Sequence, residues 1–184
     1  MSIARLLAPV VLAAMGCSGV EENFSRDVSQ EVTPVQYSLD EILSVHSQLV
    51  VPLYASSDPQ LVQERFADHQ EEIFAVLTEY LSGVTDDALS SVQRDQRKPL
   101  SLVYNDFGAV LMLQEKPELA VLAYRTAIRL DSRNPAVLFD YATAMYELGC
   151  LHEALFYFEK CWLLDHRSDA QRFARRIEQE LHLP

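Results

Sequence analysis

Residues 101–168 lie over themselves at a step of 34. The stretch 101–134 reads SLVYNDFGAVLMLQEKPELAVLAYRTAIRLDSRN, and 135–168 reads PAVLFDYATAMYELGCLHEALFYFEKCWLLDHRS. At that step Tyr104 meets Leu138, Phe107 meets Tyr141, Gly108 meets Ala142 and Leu111 meets Met145. Further on, Ala120 meets Ala154, Tyr124 meets Phe158, Ala127 meets Cys161, and Leu130-Asp131 meets Leu164-Asp165. Large residues fall on large and small on small. A fixed period of this length marks a supersecondary unit that buries its apolar face only by stacking on a neighbour.

The period and the residue types resemble the tetratricopeptide repeat, a two-helix unit of that length. Small residues at Gly108, Ala120, Ala127, Ala142 and Ala154 let the two helices of a unit approach closely. Large residues at Phe107, Tyr124, Tyr141 and Phe158 fill the space beside them. Ser132 and His166 stand where the family has proline, while Pro135 lies at the second junction; Glu115 stands where the second unit has the family's Gly149. The resemblance covers 68 of 184 residues. It implies an all-α, solenoid-like stack in which the first helix of each pair lines a concave face. The groove residues would then be Asn105, Ala109 and Met112 in the first unit and Phe139, Thr143 and Tyr146 in the second. Such a surface suits an apolar helix or extended peptide. The alternative is that Met112 and Phe139 are packed under the N-terminal helices. The family's clamp for a C-terminal carboxylate uses lysine, and no lysine falls in this groove.

Upstream, Leu39, Ile42, Leu43, Leu49, Val50 and Leu53 form a helical stripe with His46 inside it, read as a satisfied core histidine. Pro52 should kink or finish that helix. Asp58-Pro59 opens a second helix, since Asp58 can accept first-turn N–H groups and proline there loses nothing. Ser82-Gly83 stops it. A shorter helix capped by Thr85 follows, and the polar run Gln93–Pro99 reads as a loop. Residues 38–100 are thus an N-terminal helical pair or bundle, in which Ala67 to Pro99 could be a degenerate repeat lacking the small-residue pattern in its second helix, 101–134 and 135–168 the two repeats, and 169–184 a capping helix. That last helix carries Ala170, Phe173, Ala174, Ile177 and Leu181 on one face and Arg172, Arg175 and Arg176 on the other. The arginines are a solvated cap face or a secondary dock for an acidic segment.

The first 16 residues, MSIARLLAPVVLAAMG, place Arg5 before an apolar run too short for the ~20 residues a bilayer span needs. Ala14-Met15-Gly16-Cys17 resembles the lipobox of bacterial lipoproteins, although Ala14 replaces the usual leucine. The resemblance implies a signal peptide at 1–16, lipidation of Cys17, a tether over 17–37 and, with Ser18 next, the periplasmic face of an outer membrane. An ordinary secretory signal cut near Ala13 or Gly16 fits the same run. Cys150 and Cys161, ~16 Å apart if both lie along a helix, are not expected to bridge.

Net charge is −12, with fifteen Asp and Glu against five Lys and Arg in residues 17–100, which disfavours nucleic acid as partner. No nucleophile–base pair, phosphate loop, HExxH or CxxC occurs. The five histidines lack the i, i+4 spacing of two ligands on one helical face. The reading is therefore a non-enzymatic adaptor with no cofactor, metal or small-molecule substrate. It binds an unidentified protein component of the envelope, as a pilotin-like aid to secretin or pilus assembly or as a scaffold for peptidoglycan enzymes. The alternative is a soluble tetratricopeptide chaperone of a secretion system.

Overall fold

A computed structural model describes residues 37–182 of the 184-residue chain. The lipobox residue Cys17 and most of the expected tether lie outside the described residues. Local signals set the first elements. Ser38 and Glu41 form a reciprocal capping box at the start of α1 (Leu39–Leu49), with Ser38 N–H donating to Glu41 Oε2 at 2.7 Å. The chain leaves α1 at Val50, and Pro52 sits in a short 3-10 helix, Val51–Tyr54. Asp58 caps α2 (Pro59–Leu81) by accepting from Gln60 N–H at 3.0 Å, with Pro59 in the first turn. Thr85 caps α3 (Asp86–Ser91) in the same way through Ala88 N–H.

The polar run expected as a loop is instead helical. Helix α4 spans Arg94–Leu113 and passes through Pro99. Proline there removes one intrahelical hydrogen bond, but the stretch is held from outside the helix. Arg97 donates from Nη2 to Arg129 O at 2.9 Å and from Nε to Leu130 O at 3.3 Å. These are orphan carbonyls of the last turn of α5 (Pro117–Leu130), so one side chain ties two helix ends together. Leu100, fully buried, anchors the same turn in the core.

Helices α6 (Pro135–Glu147) and α7 (Leu151–Asp165) form the second pair, and α8 (Ser168–Glu180) closes the stack. All eight α-helices of the described residues pack in an all-α fold without a strand among them. The most extensive packing joins α4 to α5 and α6 to α7, with α7–α8 and α5–α6 next. The small-to-large logic holds in detail. A Cβ on Gly108 would stand 2.5 Å from Tyr124 Cε1, so the tyrosine ring occupies the space that glycine leaves. Ala120, Ala127, Ala142 and Ala154 are fully buried, as are Phe158 and Cys161.

The turn inside each pair is also repeated. Glu115 (φ 56°) and Gly149 (φ 75°) are both left-handed, 34 positions apart. In the first pair Lys116 N–H reaches Leu111 O at 2.9 Å and Glu115 N–H reaches Met112 O at 3.0 Å. In the second, Cys150 N–H reaches Met145 O at 2.9 Å and Gly149 N–H reaches Tyr146 O at 3.0 Å. Both pairs of bonds have the pattern of a Schellman motif, which satisfies the last carbonyls of a helix. The side-chain bonds between the two helices of each pair are less alike. Ser101 Oγ donates to Ala127 O at 2.9 Å, whereas one period later Cys161 Sγ donates to Pro135 O at 3.2 Å, so the donor changes helix. Cys150 and Cys161 are not bridged to each other.

Candidate functional site: the face of α4 and α6

Of the groove residues implied by the sequence, Asn105 on α4 is buried, and Ala109 and Met112 on α4 and Phe139, Thr143 and Tyr146 on α6 are half-buried. Asn105 is only 7% exposed, and its Nδ2 donates to Asp140 Oδ2 at 3.0 Å. Ala109 and Met112 are half-buried, Met112 against the core. Thr143 returns its hydroxyl to Phe139 O at 3.0 Å. Phe139 lies edge-on to Phe158, with centroids 5.4 Å apart, and to Phe173 of α8 at 5.9 Å. The sequence left Phe139 either free or under the N-terminal helices; it is under α8, because Phe173 stacks on Phe158 and brings a ring edge to Phe139. Tyr146 also meets Phe173, at 6.1 Å, and its hydroxyl donates to Glu180 Oε1 at 2.8 Å.

The basic face meets the groove at that point. Arg176 Nε donates to the same Glu180 oxygen at 3.1 Å and stands 5.7 Å from the Tyr146 ring. Arg172 pairs with Asp169 at 3.0 Å, and Arg175 is exposed beside them. These exposed pairs contribute little to stability. All three arginines of this face are exposed.

Beneath the groove lies a polar cluster. Asp106, 3% exposed, accepts from His46 Nε2 at 2.7 Å and from the Tyr54 hydroxyl. His46 was readable as a core histidine, and Asp106 is the partner that satisfies it. Burial, with Asp106 adjoining, raises the Tyr54 phenol far above its ordinary range. Asp140, half-buried one period later, has its carboxyl raised to about 6, first by burial, against the pull of the Asn105 N–H and the Arg167 guanidinium. Arg167 itself lies 4.0 Å from the centre of the Phe139 ring. Asp106 and Asp140 were missed by the sequence reading. The signal was present, since two carboxylates at the repeat step of 34 beside predicted groove positions mark a shared surface.

Compared with models of known protein families and with curated proteins, the chain matches none. No group of three His, Cys, Asp or Glu among the described residues is placed to hold a metal ion. No helix among them is long and apolar enough to cross a membrane. The cluster can hold protons and accept hydrogen bonds. The half-open strip of Ala109, Met112 and Thr143 beside it can take apolar side chains.

Proposed function

We propose that this chain is a tetratricopeptide-like adaptor without enzymatic activity, anchored by a lipid on Cys17 to the periplasmic face of a bacterial outer membrane. It holds a segment of a protein partner along α4 and α6 and assists assembly of an envelope complex, as a secretin or pilus pilotin or a scaffold for peptidoglycan enzymes. The observation that carries this reading is the repeated turn. Two helix pairs, 34 residues apart, close through left-handed residues 115 and 149 with the same two hydrogen bonds, which is what a stack of like units requires. The apolar run ending at Gly16-Cys17 supports the anchor.

Two variants test the two halves of the reading. Cys17→Ser should abolish incorporation of radioactive palmitate and move the protein out of the membrane fraction. Ala109→Arg with Thr143→Arg should reduce crosslinked recovery of the partner about tenfold or more while the thermal melt stays near wild type. Both positions are half-buried at the groove rim, whereas Phe139 and Tyr146 are braced by α8 and would confound binding with folding. Wild-type protein that takes up no palmitate yet still captures its partner would favour the soluble chaperone of a secretion system. Unchanged capture by the double variant would move the working surface elsewhere, with Arg172, Arg175 and Arg176 next in line.

A further inference from the structure

Asp106 and Asp140 sit at equivalent places in successive pairs and are served unequally. Asp106 has a hydrogen-bond partner on each oxygen, His46 and Tyr54. Asp140 receives one, the Asn105 Nδ2 group at 3.0 Å. The other end of that amide, Asn105 Oδ1, is enclosed by protein and accepts nothing. Buried amide oxygens are nearly always satisfied, so this one calls for a donor. A ligand in the groove does not supply it, because the atom is closed off from solvent and Asn105 as a whole is 7% exposed. The donor has to come from within. The carboxyl already touching this amide has a protonated state that donates. An amide and a carboxylic acid have complementary edges: N–H to one acid oxygen, acid O–H to the amide oxygen. Half of that pair stands in the structure.

We propose that Asp140 takes up a solvent proton in the folded protein and donates it to Asn105 Oδ1, closing an acid–amide clasp between α4 and α6. The groups around Asp140 decide where this happens. Tyr54 of the 3-10 helix and Asp106 of α4 face it, as do Tyr124 of α5, Cys161 of α7 and Arg167 before α8. Burial and Asp106 favour the protonated form; Arg167 and the Asn105 N–H favour the ionised one, and burial outweighs them. The carboxyl is raised from the ordinary 3.8 to about 6. A raised acid binds its proton more tightly folded than unfolded. Its stabilisation is therefore complete below about pH 4, declines as pH rises, and is lost above about pH 6. The joint under the groove is tight in mild acid and looser near neutrality.

Carboxyl carbon resonances of the full chain, followed by nuclear magnetic resonance against pH, read this directly. Asp140 should titrate near pH 6, about two units above the ordinary 3.8, and the Asn105 side-chain amide should shift with the same midpoint. Thermal melts add a second readout. The melting temperature of wild type should fall, relative to that of Asp140→Asn, as pH rises from about 4 to about 7, because that variant carries an N–H donor at every pH. A midpoint at or below 3.8, or an Asn105 amide that does not follow Asp140, overturns the clasp. If Asp140→Asn does not fold, the wild-type titration decides alone.

Discussion

At residue 115 the repeat departs from its own rule and the backbone does not. Glu115 holds φ 56°, the conformation that Gly149 holds at 75° one unit later. A side chain with a Cβ is strained there by ~1–2 kcal/mol, and glycine is not. Substitution to glycine also raises the entropy of the unfolded chain, which takes back part of the gain. Glu115→Gly should thus stabilise by ~0.5–1 kcal/mol, read as a higher urea midpoint with an unchanged slope. A lower midpoint would mean that the Glu115 side chain contributes contacts outweighing the strain. The departure itself was legible, since position 115 aligns with 149 in the sequence. That the turn stays left-handed was not, because the hydrogen bonds from Glu115 and Lys116 to the end of α4 hold it there.

At the scale of the element, α4 and α8 carry the lesson. Composition around Gln93–Pro99 reads as loop because charge, amide and proline cluster there. Helix wins because Arg97 reaches across to the carbonyls of Arg129 and Leu130, a contact 32 and 33 residues away that no local pattern contains. Arg97→Met keeps the stem and removes the donors. It should cost about 1 kcal/mol, less than the ~1.5–3 of a fully buried charged bond, because the side chain is partly exposed. Amide exchange should speed up selectively over residues 94–99; uniform exchange across α4 would show that the extension is held by Leu100 alone. Helix α8, read as a cap, starts at Ser168, one period after the start of α6 within a residue or two. It starts where the first helix of a further pair would start, and Phe173 stacks on Phe158.

Across the whole molecule, the N-terminal layer is joined to the repeats by packing and by one buried polar link. Helix α1 and the 3-10 helix bring His46 and Tyr54 to Asp106 on α4. His46→Leu keeps the apolar stripe but withdraws a partner from a buried carboxyl, at a cost of ~1–3 kcal/mol. The loss should be uneven. Hydrogen exchange should rise over residues 39–54 while α6 and α7 keep their protection, because stability divides into cooperative units. Equal loss of protection in both regions would make the N-terminal layer part of the same unit as the repeats.

The all-α class, the two helix pairs, their small-against-large packing and the caps at Asp58 and Thr85 were legible in the sequence. These rest on spacing along one chain, where a 34-residue period or an Asp-Pro pair carries its own geometry. Helix-on-helix position is another matter. Which groove residues stay open depends on Phe173, whose ring reaches Phe139 and Phe158 only once α8 has docked. His46 was visible as a histidine in an apolar stripe, but its partner lies 60 residues on. The carboxyl of Asp140 is raised by burial, and burial is made by the assembled fold. Local periodicity specifies what each helix is; only the packed helices decide which polar groups end up facing one another away from water.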